Sequence, residues 1–158
     1  MTGVADQVRA GDPVGRVMVW PVAEVDTRTM LSQVAEVLAA DEVGAVPVVA
    51  SGSLVGLVSE RDVVSHVAVG ADLSHLTAGE VMSTEVVTAQ QEDTILRAAQ
   101  LMCEADVRHL PVLAGQQLAG MVSMRDLLEV LAAVGPVVSD APVTPKASRV
   151  VVRPPWAG

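Results

Sequence analysis

The amino-acid sequence predicts an α+β fold, with α/β-type layers, of two β-α-β-β-α repeats packed face to face as a pseudo-two-fold pair. The first observation is that GLVSERD, residues 56–62, returns as GMVSMRD, residues 120–126, at an offset of 64 positions. The same offset aligns other segments, including Pro47-Val48 with Pro111-Val112. Apolar residues also recur with helical or strand periodicity in the same order in both copies. A repeat of this length indicates one structural unit present twice.

Each copy begins with a short turn and a brief extended piece, predicted at Val22 and at Val86-Val87, and a helix follows. Thr27 or Thr29 and Asp93 are the predicted N-caps of these helices. Apolar residues at i, i+3, i+4 and i+7 give each helix one apolar face. They are Leu31, Val34, Ala35 and Leu38 in the first copy, and Ile95, Ala98, Ala99 and Met102 in the second.

Two apolar runs and a second helix complete each copy. Turn-forming or polar residues separate the runs, so each pair predicts a β-hairpin. The runs are residues 45–49 with 54–58, and residues 110–113 with 118–122. Residues 61–69 and 125–134 then carry apolar side chains at helical intervals. Each copy would therefore have one open apolar sheet face, and the two faces would be buried against each other.

This pattern divides the chain into five segments, the last of which is rich in proline. Proline favours extended backbone, so this tail is predicted to be mostly extended, with one strand at Val150–Val152. The segments are an N-terminal segment at 1–12, the first repeat at 13–70, a linker at 71–76, the second repeat at 77–134 and the tail at 135–158.

Charge and composition exclude several classes of function. Lys and Arg number 10 against 19 Asp and Glu, and the resulting net charge of −9 argues against a nucleic-acid partner. Cys103 is the single cysteine, so no intramolecular disulfide forms, and it is predicted to be a small core or boundary residue. No apolar run is long enough to span a bilayer. The expectation is a soluble cytoplasmic protein without a membrane partner.

The repeated heptapeptides place Ser59 with Asp62, and Ser123 with Asp126, where a strand ends and a helix begins. In one interpretation each Ser–Asp pair only caps its helix. In the other, the free amides of the helix N-terminus bind an anion, and the short carboxylate accepts both hydroxyls of a ribose. Both copies keep Asp, with Gly three residues before the Ser and Arg61 or Arg125 beside the Asp, and this favours a ligand.

The stretch VMSTEVVTAQQEDTILRAAQLMCEADVRHLPVLAGQQLAGMVSMRDLL, residues 81–128, resembles the second repeat of a tandem pair of cystathionine-β-synthase (CBS) domains, the Bateman module. The resemblance covers residues 13–134. It implies a nucleotide site between the repeats, with Ser59 or Ser123 near a phosphate and Asp62 or Asp126 on the ribose hydroxyls. It further implies that the adenine lies against apolar residues and backbone groups at Val22, Val46, Pro47, Val86, Leu110 and Pro111.

The same resemblance implies that the two sites differ. Basic residues before the Pro-Val strand of one repeat face phosphates bound by the Ser and Asp of the other repeat. The second repeat has Arg108-His109 there and the first has Gly44-Ala45, so the Ser59–Asp62 site is expected to prefer a phosphorylated ligand. A solvated loop end is the alternative for Arg108-His109. Arg61 and Arg125 could contact a phosphate or pair with local acids.

The functional hypothesis is a regulatory sensor that binds AMP, ATP or another adenosyl compound and does no chemistry on it. No nucleophile elbow or P-loop is present, and no enzyme, cofactor or metal is expected. The resemblance also implies a homodimer formed through the helices after Ser59 and Ser123, and an unidentified regulated protein. The alternative is a ligand-free interaction or dimerisation module. His66 and His75 lack metal-ligand spacing. Trp20 could flank an adenine, but the expectation for it is a partly buried packing residue.

Overall fold

The computed structural model describes residues 8–41, 43–134 and 149–151. A 3₁₀ turn at Val14–Arg16 comes first, and the regular elements confirm the predicted α+β class. In the first repeat they are β1 (Val25–Asp26), α1 (Leu31–Ala40), β2 (Ala45–Ala50), β3 (Ser53–Ser59) and α2 (Glu60–Ala68). In the second they are α3 (Ala78–Val81), β4 (Glu85–Val87), β5 (Ala89–Gln90), α4 (Ile95–Ala105), β6 (His109–Ala114), β7 (Gln117–Ser123) and α5 (Met124–Val134), followed by β8 (Arg149–Val151).

Helices α1 and α4 bury the apolar faces that the sequence predicts. Their N-caps differ from the prediction, being Met30 and Thr94. The Thr94 hydroxyl accepts a hydrogen bond from the Arg97 amide at 3.0 Å. Asp93 instead accepts from the Gln90 amide at 2.8 Å and stabilises the preceding turn. For α4, the predicted N-cap Asp93 lies one residue before the observed N-cap Thr94, because both residue types are good N-caps.

Each repeat forms its own three-stranded sheet, in the order β1-β2-β3 or β5-β6-β7. The first strand of each runs parallel to its neighbour, and β2 pairs antiparallel with β3 as predicted for a hairpin. Two residues connect β6 to β7, a length that joins only antiparallel strands. Val22 lies outside the strands, since β1 begins at Val25, whereas Val86-Val87 belong to β4.

The described residues form two compact units whose composition differs from that of the sequence repeats. The N-unit contains the body of the first repeat and comprises residues 21–86, 116–118 and 149–151. The C-unit contains the body of the second repeat and comprises residues 8–20, 87–115 and 119–134. The leading turn of each repeat therefore belongs to the unit that holds the body of the other repeat.

Equivalent hydrogen bonds fix these exchanged turns. In the N-unit the Ala78 amide donates to the Thr29 carbonyl at 2.7 Å. In the C-unit the Val14 amide donates to the Asp93 carbonyl, also at 2.7 Å. Both donors and both acceptors are related by the offset of the sequence repeat. Each unit is consequently completed by a segment from the other half of the sequence.

The two cores are aliphatic. Leu31, Val46 and Val58 are fully buried in the N-unit, and Ile95 and Leu110 in the C-unit, so removal of apolar surface from water stabilises both. Among the described residues, no helix is long and apolar enough to cross a membrane.

Two further single-residue predictions were wrong. Trp20 is 65% exposed rather than partly buried, and Cys103 is exposed on α4 rather than in the core or at its boundary. Cys103 directly follows Met102, which is buried, and one helical residue is enough to turn its side chain outward.

Candidate functional site

The first Ser–Asp motif forms a closed capping box between β3 and α2. The Ser59 amide and hydroxyl both donate to Asp62 Oδ2, at 2.7 and 2.8 Å. The Asp62 amide donates in return to Ser59 Oγ at 3.3 Å. Ser59 and Asp62 therefore cap α2, and such caps typically contribute about 0.5–2 kcal/mol.

The second motif reproduces this geometry at the start of α5. The Ser123 amide and hydroxyl donate to Asp126 Oδ2, each at 2.7 Å. The Asp126 amide donates to Ser123 Oγ at 3.2 Å. The two motifs are therefore locally equivalent, as their sequences indicate.

A third box, outside the heptapeptides, caps the short helix α3. The Thr77 amide and hydroxyl donate to Glu80 Oε2 at 2.8 and 2.7 Å. These hydrogen bonds, first that of the hydroxyl, lower the pKa of the Glu80 carboxyl. Because Glu serves here as well as Asp does elsewhere, capping alone does not explain why both heptapeptides carry Asp.

The capping box of each motif uses only one of the two carboxylate oxygens of its Asp, so the other oxygen can interact with a ligand. Oδ2 of Asp62 and Oδ2 of Asp126 take both bonds of their boxes, and both side chains are only half-buried. Within the described ranges, Oδ1 of either residue has no hydrogen-bond partner. An ionised carboxylate accepts about four hydrogen bonds, so each motif can cap its helix and accept from a ligand hydroxyl at the same time.

The first-turn amides offer less to an anion than the sequence suggests. In α2 the Glu60 amide donates to the Gly44 carbonyl at 3.0 Å, and the Asp62 amide donates to Ser59. In α5 the Met124 amide donates to the Arg108 carbonyl at 2.8 Å. Two of the three first-turn amides in each helix are thus already satisfied. A bound phosphate would need charged side chains as well.

The four predicted basic residues have different surroundings. Arg125 lies 3.9 Å from Glu129, so it pairs with a local acid on the exposed face of α5. Arg61 and Arg108 are exposed, and neither side chain has a partner within the part of the chain that the structure describes. His109, the first residue of β6, is half-buried. Arg108 and Arg61 are therefore the cations available without breaking an ion pair.

The predicted adenine contacts lie deeper than a binding surface requires. Val46 and Leu110 are fully buried in the hydrophobic cores, and Val86 is 3% exposed. Pro47 and Pro111, at the centres of β2 and β6, are buried too, whereas Val22 is half-buried. For Val46 and Leu110 the backbone is what remains to contact a ligand, because their side chains pack into the cores.

Sequence reasoning missed one difference between the motifs, which involves His66. Its Nδ1 lies 2.8 Å from the Asp62 carbonyl, one helical turn earlier. Since a carbonyl only accepts, Nδ1 carries the proton and donates. The equivalent position in the second repeat is Val130. The only sequence signal for this contact was the histidine itself at position 66, because every helical residue has a carbonyl four residues earlier.

No metal centre accompanies these motifs in residues 8–41, 43–134 and 149–151. No three His, Cys, Asp or Glu side chains there are grouped so that they could hold an ion. His75 is instead bound to Asp72, with 2.9 Å between Nδ1 and Oδ2, at an exposed turn.

The fold and the paired motifs define a tandem pair of equivalent domains, and sequence comparison identifies their class. The CBS domain family matches residues 14–69 and 78–133, and the chain belongs to that family as a tandem pair. It is similar to the CBS domain-containing protein YhcV of Bacillus subtilis (strain 168). The two are 32% identical over 110 residues, which make up 70% of this chain and 79% of the relative.

Solved structures of CBS proteins share the fold. The CBS domain protein PAE2072 from Pyrobaculum aerophilum, complexed with AMP, is 27% identical at a TM-score of 0.68, covering 76% of this chain and 98% of that one. The CBS domain pair of protein MJ0100, in complex with 5′-methylthioadenosine and S-adenosyl-L-methionine, has a TM-score of 0.71 over 77% of this chain and 97% of that one. At 20% identity, the second likeness shows the fold alone.

Proposed function

We propose that this CBS pair is a regulatory module that binds an adenine nucleotide or nucleoside derivative and does no chemistry on it. One observation carries the proposal. Each of two equivalent Ser–Asp motifs satisfies its helix cap with one carboxylate oxygen, Oδ2 of Asp62 or of Asp126, and has the other oxygen available. The complex of the Pyrobaculum aerophilum relative with AMP supports an adenosyl ligand.

The role proposed for Asp62 and Asp126 is to accept hydrogen bonds from ribose hydroxyls. Hydrogen bonds to an ionised group contribute about 1.5–3 kcal/mol each, so one carboxylate can supply a substantial part of the roughly 8 kcal/mol of micromolar binding. Ligand binding then changes conformation or the affinity for a regulated protein. It does so only to the extent that the ligand prefers one state over the other.

Phosphate recognition is proposed for Arg108 and His109. Arg108 is exposed and has no ion pair among the described residues, so its guanidinium can bind a phosphate without losing another partner. Gly44-Ala45 occupy the equivalent positions of the first repeat and carry no charge. The family resemblance assigns the basic pair to the ligand of the Ser59–Asp62 motif, which makes that motif the proposed nucleotide site.

The experiment is thermal unfolding of the protein with AMP, ADP, ATP, S-adenosylmethionine, NAD and GMP. A ligand at 100 times its dissociation constant adds about 2.7 kcal/mol, or several degrees at roughly 2–4 °C per kcal/mol. Asp62→Ala and Asp126→Ala test the two motifs, and Glu80→Ala is the matched control. Glu80 closes the same kind of box, so its loss should lower the Tm and leave the ligand-induced shift unchanged.

A shift that survives Glu80→Ala and Asp126→Ala but is lost in Asp62→Ala supports a nucleotide sensor with one dominant site. A shift that survives both Asp variants would contradict the role of the carboxylates. If none of the six compounds shifts the Tm, the sensor proposal fails, and the ligand-free interaction module becomes the better description.

One observation favours the interaction or dimerisation module. Val64 and Val67 on α2 are 65% and 55% exposed, and Leu128 on α5 is 55% exposed. Val64 and Leu128 occupy equivalent positions of the two repeats. We propose that these helices pair two chains into a homodimer, which would cover the valines and the leucine. Sedimentation of the wild type and of Val64→Asp/Leu128→Asp tests this, since the charged variant should be monomeric.

A further inference from the structure

The strand β8 pairs with β4, which follows α3 in the second repeat. The two form a separate two-stranded sheet. The equivalent segment of the first repeat, residues 21–23, is in no strand of the described chain, and it begins with Pro21. Proline has no amide hydrogen to donate to a neighbouring strand. The C-terminal strand is thus bound to one repeat, at a place where the other repeat is chemically less able to bind a strand.

A short series of contacts within the N-unit connects Met82 and Ser83, which precede β4 along the chain, to the first Ser–Asp motif. Ser83, just before β4, exchanges two hydrogen bonds with Leu57: the Leu57 amide donates at 3.1 Å and the Ser83 amide at 2.9 Å. Met82 packs directly on Gly56. Gly56 and Leu57 belong to β3, whose last residue is Ser59, the N-cap of α2.

The C-unit contains the same contacts without an added strand. Val19 and Met121 exchange hydrogen bonds of 2.7 and 3.1 Å, and Met18 packs on Gly120 in β7, which ends at Ser123. The second motif is therefore an internal control for the first. The clear difference is that residues 18–23, which are equivalent to residues 82–87, form no strand in the described chain.

We infer that β8 is an intramolecular strap that orders the Ser59–Asp62 motif through β4, Ser83 and Leu57. The ligand part of this inference rests on the proposed function. A segment held in its bound conformation loses less entropy on binding, so a docked strap raises ligand affinity. The strap acts on the Ser59–Asp62 motif and leaves the Ser123–Asp126 motif unaffected. Release of the strap would make ligand binding by the first motif weaker.

The variant that undocks the strap is Val150→Pro/Val151→Pro. Alternate residues of a strand direct their amides to the same neighbour, so one of these two adjacent positions must face β4. Replacing both with proline removes that donor wherever it lies. Val150→Ala/Val151→Ala is the matched control, because it shortens the same side chains and keeps both amides.

The first readout is amide hydrogen exchange without ligand. The proline variant should exchange faster at Leu57 and Ser83, while Val19 and Met121 keep their wild-type rates and the alanine variant matches the wild type. Unchanged exchange at Leu57 and Ser83, or equal acceleration at Val19 and Met121, overturns the strap, whether or not a ligand binds.

The second readout is the dissociation constant of AMP in an Asp126→Ala background. We expect the proline variant to bind about 5-fold or more weakly than the alanine variant. Equal affinity, with faster exchange at Ser83, would overturn the link to binding and leave the nucleotide proposal standing. If the wild type binds no adenosyl compound, the proposed function fails, and the exchange rates alone decide whether β8 is a strap.

Discussion

Met82 lies directly against Gly56, in the space that any larger residue at position 56 would need for its Cβ. A Cβ placed there would be 2.7 Å from Met82 Cγ and closer still to the sulfur. Met18 has the same relation to Gly120, where the distance to Met18 Cγ is 3.0 Å. The glycine of each heptapeptide therefore has a packing role. That role removes one of the reasons for assigning the heptapeptides to a ligand.

Gly56→Ala should destabilise the protein by about 1–3 kcal/mol, the usual cost of overpacking a core. Much of the crowding comes from the Met82 side chain, so Met82→Ala should relieve it, and the double variant should be more stable than additivity predicts. Urea unfolding measures both effects. Gly11→Ala is the control, because nothing lies within 4 Å of a Cβ at Gly11. Strict additivity of the two substitutions would contradict the packing role.

Gly120→Ala should cost more than Gly56→Ala and should not be rescued by Met18→Ala. Its Cβ would lie 2.7 Å from the Val19 backbone oxygen, which accepts a hydrogen bond from the Met121 amide and cannot rotate away as a methionine side chain can. The same urea experiment decides this. Full rescue of Gly120→Ala by Met18→Ala would show that the side chain, and not the backbone, causes the crowding.

The sequence was sufficient to predict the helices, the hairpins and the presence of two repeats, because the elements follow from local periodicity and the repeats from a constant offset. It did not reveal that each leading turn belongs to the unit of the other repeat. That exchange depends on long-range backbone bonds, such as the one from Ala78 to Thr29, and backbone groups leave no residue-specific signal. The offset of the repeat is identical whether the turns are exchanged or not.

The exchange predicts that the sequence repeats will not fold when separated. Fragments 8–70 and 71–134 each lack the turn that completes their unit, including Val14, which is fully buried in the core of the C-unit. Each fragment alone should show no cooperative thermal transition by far-UV circular dichroism, and an equimolar mixture should recover one. A sigmoidal transition for either fragment by itself would show that the exchanged turn is dispensable.

The candidate site was predictable in its residues but only partly in its environment. Spacing alone places Ser59 and Asp62 at the start of a helix, and the structure adds that capping uses one carboxylate oxygen. Spacing could not show that Val46 and Leu110 face the cores, because a strand buried on both faces has the same apolar sequence as one beside a ligand. Nor could it show which arginine forms an ion pair.

Stability should depend on the ionisation of Glu80. The hydrogen bonds from Thr77 lower the pKa of this carboxyl below its ordinary value of 4.5. A carboxyl with a lowered pKa stabilises the folded state above its unfolded pKa, and that contribution is lost as the pH falls through the folded value. The Tm of the wild type should therefore exceed that of Glu80→Gln at neutral pH, and the difference should shrink as the pH falls below 4.5.

A difference measurement is needed because other carboxyls behave in the same way. A backbone hydrogen bond from Arg28 lowers the pKa of Asp26, and the Ser74 hydroxyl lowers that of Asp72. Both also contribute to acid unfolding, and comparison of the wild type with Glu80→Gln cancels them. A Tm difference that stays constant from neutral to acid pH would show that the ionised carboxylate is not what stabilises the α3 box.

Arg108 should distinguish phosphorylated ligands from nucleosides. Its side chain is exposed and has no partner among the described residues, so Arg108→Ala should change the free energy of unfolding by no more than about 0.5 kcal/mol. Loss of one hydrogen bond to a charged phosphate should weaken AMP binding by about 1.5–3 kcal/mol, or roughly 10- to 150-fold, and leave adenosine binding unchanged. Isothermal titration of both compounds measures the two affinities.

Arg125→Ala is the matched control, since Arg125 already pairs with Glu129. Equal losses for AMP and adenosine would place Arg108 away from the phosphate, and no loss for either compound would favour the interpretation of Arg108-His109 as a solvated loop end.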